Sequence, residues 1–155
     1  MRVTGKSGLG DILGKFLKIC FWGGIILLAI LPFALYALGL NLNTTAIVIY
    51  PNGIVLIVMA HQFIKLFESL KNEDPFCENN VRTLKKTAIA AIVEAGFWLI
   101  DIIYEIALVK VFDIVIIVVL IFLCVLFLAV AIALYILAEL FKEATIYKRE
   151  NELTI

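Results

Sequence analysis

Three carboxylates, Glu94, Asp101 and Glu105, sit in the otherwise apolar run Thr87–Val109. Their spacing of i, i+7 and i+11 places them within about 40° of one another on one helical face. An ionised carboxylate in hydrocarbon is costly, so such groups face a bundle interior, take up a proton, or line water. Counting from Thr87, Glu94 lies about 10 Å inside one boundary. His61, the single histidine of the chain, falls at a similar depth in the preceding apolar run and is the expected partner of Glu94. Asp101 and Glu105 lie farther along, where Lys110 is the nearby cation. The four residues together define a candidate cleft for a cation or a cationic peptide. Bridging waters inside a bundle satisfy the same pattern.

Other chemistry finds little to work with. One His, with no Ser/His/Asp or Cys/His constellation, provides no nucleophile and general base, so no catalytic residue is assigned and the protein is not expected to be an enzyme. Cys20, Cys77 and Cys124 are far apart and lack metal-ligand spacing, which predicts reduced thiols and no metal or cofactor.

The elements that position these residues follow from composition. The chain has 155 residues, is 64% hydrophobic and has a mean hydropathy of +1.10, more apolar side chain than one soluble core can bury. Lipid is therefore the expected solvent. A hydrocarbon core of about 30 Å takes roughly 20 helical residues per crossing. Four runs qualify, and the expected spans are 19–40, 51–70, 87–109 and 114–140, joined in the middle by the loop 71–86. The fold class expected is all-α: a single four-helix transmembrane domain over 1–155, preceded by an interfacial helix. The 13 Lys and Arg are distributed twelve to one. Arg2, Lys6, Lys15 and Lys18 precede the first span, Lys65, Lys71, Arg82, Lys85 and Lys86 flank the central loop, and Lys142, Lys148 and Arg149 follow the last, with Lys110 alone on the other side. The bias of such residues toward the cytoplasm predicts a multi-pass cell-membrane protein with both termini and the central loop inside.

Along the chain, Leu9, Ile12, Leu13, Phe16 and Leu17 form one apolar stripe, the pattern of an interfacial helix running into the first span. No small-x-small cleavage site ends that run before further spans follow, so it is expected to be retained. Gly23 and Gly24 permit a neighbouring helix to approach, and Pro32 frees the carbonyl four residues earlier. The β-branched run Thr44–Tyr50 reads as non-helical or loosely helical. Pro51-Asn52-Gly53 then reads as a turn, with the second span beginning near Pro51. Asn43-Thr44-Thr45 matches a glycosylation sequon, a weak signal. In the loop, Pro75 excludes helix at Asp74, Phe76 can fold back onto the helix ends, and Asn79 or Asn80 is the expected N-cap of the third helix.

The DPFxxxN turn of Asp74, Pro75, Phe76 and Asn80, followed near the C-terminus by LAELFKEA and ENELTI, resembles a family of small four-span bacterial and archaeal membrane proteins classed as a domain of unknown function. The matching positions include Leu84, Leu137, Ala138, Glu139, Phe141, Leu153, Thr154 and Ile155. Ala144 stands where the family usually has Gly, which bears on where that helix ends. Members look like genetic neighbours of a Cro/CI-type helix-turn-helix regulator, and the resemblance implies a membrane partner that controls such a regulator. The surface for it would be Pro75, Phe76 and Asn80 with the tail Glu152, Leu153, Thr154 and Ile155. No direct nucleic-acid contact is expected. The alternative from a different class is a small cation or proton transporter or channel using Glu94, Asp101, Glu105 and His61. Four spans make a poor conduit alone, so that reading calls for a homo-oligomer.

Overall fold

The computed structural model describes residues 9–37, 39, 42–71, 76–109 and 114–152, with backbone alone at 9–11, 42–48, 70–71, 108–109 and 152. Pro75, Lys110, Leu153, Thr154 and Ile155 lie outside the described residues. Among the described residues the protein is all-α, with four long helices in the order α1 Leu9–Ala37, α2 Leu42–Lys71, α3 Glu78–Tyr104 and α4 Ile114–Glu152, and a π-helical turn Glu105–Val109 closing α3. Each contains a stretch long and apolar enough to cross a membrane. The expected interfacial helix is continuous with the first span, and Gly39, at φ +68°, follows the end of α1.

Consecutive helices pack on one another, α1 on α2, α2 on α3 and α3 on α4. The core is built by the last three. Met59 and Leu66 of α2, Leu84, Ala88 and Ala91 of α3, and Ala131, Leu134 and Ala138 of α4 form two adjoining buried clusters. Ala91 and Ala138 are completely enclosed. Alanine at such a seam lets two backbones approach closely, which matters where lipid on the outside is as apolar as the packing itself. α1 stands outside this core and presents Trp22, Leu27, Phe33 and Tyr36 outward.

α1 and α2 meet at small residues. An added Cβ on Gly24 would lie 3.6 Å from Ile57, and one on Gly53 would lie 2.6 Å from a terminal methyl of Leu28. Pro32 has no N–H to donate to the Leu28 carbonyl, and the Tyr50 hydroxyl donates to that oxygen at 3.4 Å. The carbonyl that the proline frees is thus answered by the neighbouring helix. Gly53→Ala is expected to destabilise the α1–α2 contact by about 1 kcal/mol, because Leu28 must change rotamer. In a Leu28→Ala background the same glycine change should cost little, a non-additivity read as the thermal unfolding midpoint in detergent.

Two expectations are corrected. Residues 42–50 are helical, and α2 runs unbroken through Pro51. Inside a bilayer the backbone has no water to bond, so helical hydrogen bonds outweigh the β-branched preference of Thr44–Tyr50 and the turn chemistry of Pro51-Asn52-Gly53. The N-cap of α3 is Cys77, not Asn79 or Asn80, with φ −125° and ψ 154° and no side-chain cap bond. Starting α3 there puts Asn80, Thr83, Leu84, Thr87, Ala88 and Ala91 on one buried stripe. The Thr83 and Thr87 hydroxyls donate to carbonyls one turn back, at 2.9 Å each, which lets them be buried. α4 continues helically through Ala144.

Candidate functional site

α3 carries the buried polar groups. Glu94 is 0% exposed and Asp101 6% exposed, both on the face turned into the bundle. Asn52 of α2, itself 5% exposed, donates from Nδ2 to Oδ2 of Asp101 at 2.8 Å, an interhelical bond between buried side chains. Glu94 has no such partner: among the described residues neither of its oxygens is hydrogen-bonded. The Trp98 indole lies beside its carboxyl, one turn along, yet outside hydrogen-bond geometry, and Trp98 Nε1 is buried and unbonded as well. Glu105 opens the π-helical turn and is half-buried.

The structure separates the pair expected between Glu94 and His61. Gly53, Ile57 and His61 repeat every four residues on the face of α2 that meets α1; the His61 ring is exposed and lies 5.7 Å from that of Phe21. Asn52, Val55, Met59 and Phe63 form the other stripe, which meets α3. The contacts Asn52–Asp101 and Met59–Ala91 set the α2–α3 register, which leaves His61 about one turn from the level of Glu94 as well as on a different face. No three His, Cys, Asp or Glu side chains gather closely enough to hold a metal ion among the described residues. A pocket of about 430 Å³ lies between α1 and α2, with Phe21, Gly24, Gly53 and Ile57 on its apolar walls and Asn52 and Trp98 at its polar edge. Asn52 is the functional candidate that sequence reasoning missed. A lone Asn in an apolar helix was the available signal, masked by the turn-like Pro51-Asn52-Gly53.

The second candidate region is the charged end. Lys18 pairs with Glu68 at 2.6 Å, Lys85 with Glu139 at 2.6 Å and Arg149 with Glu78 at 3.2 Å, so α1 is tied to α2 and α3 to α4 at one end of the bundle. These groups are at least one-third exposed and screened by water, so the pairs bias register rather than hold the fold. α4 has 39 residues and is about 58 Å long, nearly twice a hydrocarbon core. Its polar last third, from Leu140 to Glu152, extends past what a crossing needs. Phe76 folds back on this extension, its ring 5.4 Å from that of Phe141, while 40% of the residue stays exposed. Asn80, expected at the surface, is 1% exposed and belongs to the buried stripe of α3. Glu152 ends α4.

Four apolar helices with polar groups enclosed between them and charge gathered at one end define a multi-pass membrane protein of the all-α class. The chain belongs to the family described as protein of unknown function (DUF2975), whose profile matches residues 16–155. No curated protein and no solved structure matches it.

Proposed function

We propose that the protein is a non-catalytic signalling partner in the cell membrane. Its charged end faces the cytoplasm and docks a soluble helix-turn-helix transcription regulator. The observation that carries the reading is the platform made by the α4 extension with Phe76 seated on Phe141. A partly exposed ring seated on a helix is the kind of anchor that can supply much of a binding energy. The orientation rests on the twelve-to-one distribution of Lys and Arg, whose described members cluster at that end.

The test is co-expression with a candidate helix-turn-helix regulator of the class proposed. Phe76→Ala forfeits a ring contact of about 1 kcal/mol and leaves the bundle folded. It is expected to reduce recovery of the regulator roughly tenfold, as loss of an interface anchor does. Deleting 152–155 should reduce it to background. Recovery at the wild-type level from both variants would remove the reading.

A second reading, an oligomeric proton or cation transporter, is favoured by one observation, the enclosed carboxyl of Glu94, which has no hydrogen-bond partner among the described residues. It gains if both variants keep the regulator while Glu94→Gln abolishes cation flux in reconstituted liposomes.

A further inference from the structure

Five cations, Arg82, Lys85 and Lys86 of α3 with Lys142 and Arg149 of α4, ring a pocket of about 510 Å³ whose floor is apolar, formed by Val81, Ile89 and Ile146. Two carboxylates offset part of this charge: Glu139 takes Lys85 and Lys142, at 2.6 and 3.8 Å, and Glu78 takes Arg149. Arg82 and Lys86 are exposed, and neither forms an ion pair among the described residues. The rim is therefore a net cationic site, suited to an anion with several oxygen acceptors.

The pocket does not end at the rim. A second one, of about 400 Å³, continues down the same α3–α4 groove, sharing Ile89 and passing Ile92 on one side and Tyr135, Ile132 and Leu128 on the other. Lys85–Ile89–Ile92 and Tyr135–Ile132–Leu128 each step by three or four residues, so each pair of walls is one continuous helical stripe. From Lys85 to Ile92, and from Tyr135 to Leu128, the groove descends about 10 Å, two-thirds of the depth of one leaflet. Tyr135 stands at the junction, with the Lys85 ammonium 5.5 Å from its ring centroid and its own ring half exposed, the position of an aromatic at a membrane interface.

We propose that this groove is a binding site for one anionic phospholipid, its phosphate held by Arg82 and Lys86 at the rim and one acyl chain laid between α3 and α4 as far as Leu128. Charge complementarity selects the head group, and the apolar continuation selects a lipid over a soluble partner. An acidic peptide could fill the rim, but it could not follow the groove to a depth where no backbone group finds water. Basic pockets between transmembrane helices are suited to anionic head groups on the same grounds. The site adjoins the Phe76–Phe141 platform on the α4 extension but includes neither ring, and it does not depend on the regulator reading.

The purified full-length protein in detergent would be offered dioleoylphosphatidylglycerol or dioleoylphosphatidylcholine, and retained lipid read by native mass spectrometry. The phosphatidylglycerol should be retained preferentially. Arg82→Gln together with Lys86→Gln should weaken it about thirtyfold, from the attraction each basic side chain contributes near an anionic lipid. Ile132→Trp fills the groove without changing charge and should also weaken it, while inorganic phosphate should not compete. Both variants alter exposed side chains, so the bundle remains available for the measurement. Equal retention of the two lipids, or unchanged phosphatidylglycerol binding in both variants, overturns the assignment. Binding of an acidic helical peptide at the rim with no retained phosphatidylglycerol would overturn it too, in favour of a protein partner.

Discussion

Replacing Glu94 with Met is expected to stabilise the folded bundle by about 2 kcal/mol, because a buried polar group without hydrogen bonds costs roughly that much and Met fills nearly the same volume without the cost. Glu94 is completely enclosed, and neither oxygen has a partner among the described residues. The polar groups nearest to it in sequence or expectation are engaged elsewhere or misaligned. Asn52 bonds Asp101, His61 faces α1, and the Trp98 N–H does not reach hydrogen-bond geometry. The measurement is the thermal unfolding midpoint in detergent, with Glu94→Gln as a control that keeps the polar group and should move the midpoint little. A lower midpoint for Glu94→Met would show that the carboxyl has a favourable companion, such as an enclosed water or ion, in the assembled protein. A residue whose removal stabilises a fold is one the fold does not need, and that directs attention to what it does in the membrane.

What the sequence makes legible here follows the bilayer closely. The four spans can be read because hydrocarbon thickness imposes a minimum length on every apolar run, and α1 through α4 meet it. Burial of Glu94 and Asp101 can be read from the cost of charge in lipid, and the return of Phe76 onto the helix ends from its place after Pro75. The freed carbonyl of Leu28 is predictable from Pro32, though its answer, Tyr50, is not. The misreadings have a common cause. The start of α2 and the N-cap of α3 are signalled in the sequence by turn and cap residues, Pro51-Asn52-Gly53 and Asn79-Asn80, whose preferences are calibrated on backbone that water can solvate. In α2 the need to satisfy the backbone internally prevails, and in α3 the buried stripe claims Asn80. The proposed Glu94–His61 pair shows the other limit. Position along a helix comes from counting residues, but which face of α2 meets α1 and which meets α3 is set by packing among all the helices. Gly53 against Leu28 and Met59 against Ala91 decide it, and neither contact is visible from one span alone.

Asn52→Leu is the complementary case, with a loss expected where Glu94→Met gives a gain. The bond from Asn52 Nδ2 to Asp101 Oδ2 spans 2.8 Å between two buried residues, and it ties α2 to α3 toward the end of α3 remote from Lys85 and Lys86. Interhelical hydrogen bonds in bilayers average well under 1 kcal/mol, since separated helices find other partners, but a carboxyl acceptor left buried without its donor loses more. Asn52→Leu should therefore destabilise the bundle by about 2 kcal/mol, near the upper end for such bonds. Asp101→Leu alone should cost less, because an amide donor is cheaper to strand than a carboxyl. The double variant is the decisive measurement. With both polar groups gone the α2–α3 seam becomes apolar, and the loss should fall below that of Asn52→Leu, giving a coupling of at least about 1 kcal/mol in a double-mutant cycle. Strict additivity would mean that Asp101 is served by other groups. The consequence reaches the pocket between α1 and α2, because Asn52 lies at its edge and Gly53, the next residue, packs on Leu28 across it. Loosening α2 from α3 should thus also change α1, and a probe attached at Cys20, which lines the same pocket, should report a more mobile environment in Asn52→Leu than in the double variant.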